Sequence, residues 1–199
     1  MSQILRLRGR NALSAFRSSK LVSSLRSNVP RVTVVHAEFW HFVHLARALS
    51  DAEAKRLARI LTYGPADAAG AARGELMLVV PRIGTISPWS SKATDIARHC
   101  GLEAVHRIER GVAYFVSTRD GQLLSSSDRA ALAPLIHDRM TETVLGSFED
   151  AARLFERFEP RPLATVDILN GGLAALERAN RDMGLALSQD EIEYLVEQF

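Results

Sequence analysis

VTVVHAEFWHFVHL, residues 32–45, decides the fold. The stretch is rich in β-branched and aromatic side chains and reads as a long strand. A helix would bring His41 and His44 together at i and i+3, a possible metal pair. On a strand, Val35, Phe39, Val43 and Leu45 point one way, His36, Glu38, Trp40 and His44 point the other, and His41 faces away from the other two histidines. The composition favours the strand, with one oily and one amphipathic face, so no histidine metal site is expected.

Towards the N-terminus, residues 4–8 alternate apolar and basic, as a short half-buried strand does, and Gly9 is expected to break it. Asn11 or Ser14 caps a helix running towards Asn28, with Leu21, Val22 and Leu25 on one side, closed by Pro30. Towards the C-terminus, Ser50-Asp51-Ala52-Glu53 is a capping box. The helix it opens carries Leu57, Ile60 and Leu61 and stops at Tyr63-Gly64-Pro65, and residues 66–74 are a loose connector. The plan then repeats. Residues 76–80 form a strand. Ser90 or Ser91 starts a helix with the stripe Ala93, Ile96, Ala97 and Cys100, ended by Gly101. Residues 105–118 form a strand with Ile108, Val112, Tyr114 and Val116 on one side, and a helical stretch covers 130–145. The fold class is therefore α+β: duplicated ferredoxin-like strand-helix units share one sheet across residues 1–146.

Residues 147–199 read as a small all-helical segment. A short helix carries Leu154, Phe155 and Phe158, Pro160 and Pro162 mark a linker, and a helix near 172–183 carries Leu173, Leu176 and Met183. Ser188-Gln189-Asp190-Glu191 is a second capping box, opening a helix with Ile192, Leu195, Val196 and Phe199. That stripe is left uncovered at the last residue, so the chain is expected to be the front of something larger.

Composition narrows the function. The chain has 199 residues, 47% hydrophobic and 24% charged, as a soluble globular core requires. No apolar run approaches the ~20 residues that cross a bilayer, so no membrane partner is expected. The single cysteine, Cys100, excludes an internal disulfide and a multi-cysteine metal site, and a reducing, cytoplasmic setting fits best. Its place on the apolar stripe marks it as core rather than nucleophile. A net charge of +2 argues against nucleic acid as a partner. No acid precedes Glu38, whereas Arg6, Arg8, Arg10, Arg17, Lys20, Arg26 and Arg31 all do. A transit peptide has this composition, but so does a folded strand and helix with a basic outer face, and the patterning favours the second.

The chemistry-bearing stretch is RIGTISPWSSKATDI, residues 82–96. Pro81 and Gly84 shape a sharp exit at the carboxyl end of a strand, where α/β sheets keep their sites. Ser90 and Ser91 fall where the next helix offers unpaired amides, an anion seat, with Arg82 and Lys92 adding positive charge and Trp89 placed to seal or stack. The plainer reading, an N-cap serine and a packing tryptophan, weighs equally on these grounds. No P-loop, G-x-S-x-G or G-x-G-x-x-G occurs.

PRIGTISPWSSKATDIA (81–97) resembles the N-terminal domain of phosphoribosylformylglycinamidine synthase in its large single-chain form. So do LSAFRSSKL (13–21), HAEFWHF (36–42), LTYGPA (61–66), RIERGVAYF (107–115) and HDRMTETVL (137–145). Residues 166–195 resemble that family's helical linker domain. With 13–21 part of the fold, the transit-peptide reading falls. The resemblance implies an ATP-dependent glutamine amidotransferase of purine biosynthesis, in which a phosphorylated nucleotide precursor is converted to an amidine. It implies a domain like a dimer of a small partner protein, which holds the synthetase and glutaminase domains together. ATP and Mg belong to the full-length enzyme and no cofactor to this segment, which is expected to be inactive alone. Arg82, Thr85, Ser87, Trp89, Ser90, Ser91 and Lys92 are expected to form a mobile substrate-cleft or domain-coupling loop, and no catalytic or metal-ligating residue is expected. The alternative is a free-standing ferredoxin-like binding or regulatory module.

Overall fold

A computed structural model describes residues 3–64, 73–159 and 162–199. It divides into two compact units, one up to Phe158 and one from Glu159 to Phe199.

Among the described residues the first unit is built on five strands: β1 (Gln3–Asn11), β2 (Val32–Leu45), β3 (Glu75–Pro81), β4 (Val105–Thr118) and β5 (Glu142–Leu145). Their order across the sheet is β1-β2-β4-β3-β5, and every neighbouring pair is antiparallel. Four helices join them: α1 (Ala15–Asn28), α2 (Asp51–Leu61), α3 (Pro88–His99) and α4 (Ser126–Ile136). Because neighbours alternate in direction, β2 and β3 run the same way with β4 between them, and β4 and β5 run the same way with β3 between them. These are two interleaved split β-α-β crossovers, the duplicated ferredoxin-like units expected on one sheet.

The register confirms the two faces of residues 32–45. Val35 pairs with Val116, Val43 with Ile108, and Leu5 with Val43. Helices α1 and α4 cover one end of this face through Leu25, Leu132 and Ile136, and α2 and α3 cover the other through Leu57, Ala93 and Ala97. Leu25, Leu57 and Leu132 are wholly buried, each worth roughly 1.5–3 kcal/mol. On the opposite face Phe42, Leu78, Val80, Ala113 and Leu145 gather beneath a 3-10 helix, Asp150–Phe155, through Ala151 and Leu154. Farther along that face the buried Glu38 carboxylate accepts from Arg8 at 2.8 Å, Trp40 Nε1 at 2.8 Å and His36 Nε2 at 3.2 Å.

Several expectations shift. Gly9 does not end β1, which runs on to Asn11; a Cβ there would stand 2.9 Å from the His41 ring, so the glycine serves close packing. Ser14, not Asn11, caps α1. The capping boxes at Ser50 and Ser188 form as read. Most of the connector expected after Tyr63 lies outside the described residues. The helix expected over 130–145 is two elements, α4 and β5, separated by a turn in which the Glu142 amide donates to the Asp138 carbonyl at 2.8 Å. The 3-10 helix packs on the sheet, so residues 147–158 belong with the first unit rather than with the helices that follow.

The second unit holds α5 (Ile168–Met183), capped by Asp167 and interrupted where Gly172 leaves helical geometry, and α6 (Gln189–Gln198). Leu176 and Ile192 are buried, whereas Met183 and Phe199 are exposed. Among the described residues no helix is long and apolar enough to cross a membrane.

Candidate functional site

Strand β3 ends at Pro81, and the chain turns at once. The Arg82 carbonyl accepts from the Thr85 hydroxyl at 2.6 Å and the Thr85 amide at 3.2 Å, with Gly84 at φ +84 completing the turn. Ser87 then caps α3: its side chain accepts from the Ser90 amide at 3.0 Å, and Pro88 occupies the first turn. The start expected at Ser90 or Ser91 thus lies three or four residues too late. Proline needs no amide partner at a helix start, which makes Ser87-Pro88 the stronger signal.

The anion seat predicted here is filled by the protein itself. The Ser87 hydroxyl donates to Glu109 Oε2 at 2.8 Å and the Ser87 amide to Oε1 at 3.4 Å, placing the fully buried Glu109 carboxylate at the head of α3. Arg107 Nε also donates to Glu109, at 3.1 Å. The other end of that guanidinium donates to the Leu154 carbonyl at 2.6 Å and the Thr85 carbonyl at 3.2 Å, pinning loop and 3-10 helix to β4. A carboxylate out of water costs several kcal/mol unless paired and hydrogen-bonded, and this network supplies both conditions.

The seven residues expected to act together separate. Arg82, Thr85 and Ser87 line a cleft of about 410 Å³ with Met140 and Glu142. Trp89 and Lys92 line another, of about 380 Å³. Ser90 is wholly buried with its hydroxyl unpartnered, and Ser91 is exposed and lines neither cleft. Cys100 is exposed at the C-cap of α3, which corrects its reading as a core residue.

The second cleft contains residues that the sequence reading passed over: Arg10, Tyr63 and Arg110. The Arg110 guanidinium lies 4.4 Å from the Phe39 ring centroid and 4.7 Å from that of Trp89, and Nη1 donates to the Tyr63 hydroxyl at 3.2 Å. That hydroxyl is 2.9 Å from Nε2 of the buried His41. Burial first, and the Arg110 charge second, hold the His41 pKa down to about 4, against a hydrogen bond to the Leu7 backbone that raises it. His41 is thus neutral at pH 7, and a single chain of donors results: Arg110 to Tyr63, Tyr63 to His41, His41 to the Leu7 carbonyl. The signal was present in the sequence. His41 and Arg110 are the polar interruptions of two apolar stripes, and the register pairs them directly.

This geometry defines an α+β domain with a cationic, aromatic-walled rim at one end of a duplicated sheet. The chain belongs to the formylglycinamide ribonucleotide amidotransferase N-terminal family, whose sequence model matches residues 38–155, more than half of its length. The match runs from within β2 to the end of the 3-10 helix and takes in the first cleft, the Glu109 network and the lining of the second cleft except Arg10.

Proposed function

We propose that this chain works as the N-terminal portion of phosphoribosylformylglycinamidine synthase in purine biosynthesis, in the cytoplasm. The full enzyme is a carbon-nitrogen ligase that joins glutamine-derived ammonia to formylglycinamide ribonucleotide at the expense of ATP. The segment's task is to hold the synthetase and glutaminase domains together and to lend residues 82–92 to the substrate cleft or the ammonia path. The observation that carries this reading is the family match over residues 38–155. The exposed cations support it, Lys92 in one cleft with half-buried Trp89 and Arg82 in the other.

ATP and Mg act elsewhere in the full enzyme. Among the described residues no group of three histidine, cysteine or carboxylate side chains is arranged to hold a metal ion, and no step is assigned to them. The segment binds and positions. Replacing Trp89 and Lys92 with alanine in the full-length enzyme tests the role. Amidine formation should fall and glutamine hydrolysis should run ahead of it; unchanged turnover and unchanged coupling would refute the assignment.

A further inference from the structure

We propose that the cleft between α2, α3 and the sheet is a binding site for a small, doubly charged tetrahedral oxyanion of the phosphate class. Among the described residues three cations from three elements line it, Arg10 from β1, Lys92 from α3 and Arg110 from β4, and no aspartate or glutamate does. The ion pairs among the described residues engage other cations, Arg6, Arg8, Arg31, Arg47, Arg107 and Arg129. The positive charge around the cleft is therefore uncompensated by the side chains that form it, which favours an anion.

The cleft is also organised. Arg110 is held against Phe39 and Trp89 and anchored at Nη1 by Tyr63, leaving its remaining N–H groups for a ligand. Arg10 lies 5.6 Å from the Tyr63 ring centroid and 5.9 Å from that of Phe39. The Tyr63 proton is committed to His41, so Tyr63 turns its oxygen towards Arg110 and sets the guanidinium rather than the ligand. Cations converging from separate elements suit a tetrahedral group with several acceptor oxygens better than a single planar carboxylate, which one arginine satisfies side by side. The volume, about 380 Å³, falls at the small end of ligand pockets. Trp89 and Lys92 are shared with the loop given the coupling role, but phosphate binding is read without turnover, so the site would remain if that role failed.

The test is calorimetric titration of the 199-residue chain with inorganic phosphate, with succinate as the carboxylate comparison. Phosphate should bind at one saturable site with Kd below about 1 mM, at least about tenfold tighter than succinate. Lys92→Met and Arg10→Met should each weaken it by about tenfold or more, whereas Lys20→Met, on the exposed face of α1, should not. Both variants remove exposed cations, so folding survives and circular dichroism verifies it. Absence of saturable binding, equal weakening by Lys20→Met, or succinate binding as tightly as phosphate would overturn the proposal. Binding of an oligoglutamate peptide in place of phosphate would overturn it too, by making the cleft a protein-docking surface.

Discussion

His41 occupies a position where the apolar stripe of its strand calls for valine or leucine, and its neutrality is what the fold tolerates. Arg110 and Tyr63 face it from β4 and the end of α2, and neither supplies negative charge. Its folded pKa, about 4, lies below the ordinary 6.5, so between those values the unfolded chain binds the extra proton. The stabilisation is complete above pH 6.5, is lost as pH falls towards 4, and amounts to roughly 3 kcal/mol at full extent. Denaturant melts of His41→Gln across pH 4–7 should show a flatter profile than the parent; an unchanged slope would contradict this assignment. Gly111 poses a different constraint. A Cβ there would stand 2.8 Å from the Val79 carbonyl oxygen and 3.0 Å from a Val80 methyl, both parts of the neighbouring strand. Gly111→Ala should therefore cost about 1–3 kcal/mol by overpacking, read as a lowered denaturation midpoint.

Helix α3 shows what an element owes to groups outside it. Its first turn is secured by Ser87, and Ser87 is secured by Glu109. Ser87→Ala should cost about 1–2 kcal/mol for the cap and more for the donor withdrawn from a buried carboxylate; Ser87→Asp should cost more again, by placing a second carboxylate beside the first. A urea midpoint for Ser87→Ala equal to the parent's would contradict the network. The same helix explains a misreading. Its buried positions are Ser90, Ala93, Thr94 and Ala97, because the Thr94 hydroxyl accepts from the Ile108 amide at 3.0 Å and small residues permit close approach to β4. Counting only apolar residues selected Ile96 and Cys100 instead, and both are exposed. Cys100 should accordingly react with a thiol reagent in the native protein, at a rate near that of the unfolded chain. Strands β2 and β4 were legible from their two-faced patterns, and three caps from their serines. Strand β5 was not: four residues at a sheet edge carry too short an alternation to stand out after a helix. The cationic cleft was missed for a related reason, since its three cations come from β1, α3 and β4, far apart in the sequence.

At the scale of the molecule, four helices cover one face of the sheet, and the 3-10 helix covers part of the other, beside a belt of charge and aromatic rings. Arg8, His36 and Trp40 converge there on Glu38, and the Trp40 and Phe148 rings lie 4.1 Å apart. Packing through the first face makes the domain stable; the loops and clefts at the sheet's end make it useful. The family relationship places the domain among the N-terminal domains of formylglycinamide ribonucleotide amidotransferases. We propose that this segment positions chemistry performed elsewhere in a longer enzyme. This central claim is tested most directly by measuring amidine formation by the rest of the enzyme, expressed without residues 1–199, before and after the purified segment is added. The account predicts little turnover before addition, recovery after it, and none from the segment alone. Full turnover by the remainder without the segment, or hydrolysis of ATP or glutamine by the segment itself, would contradict it.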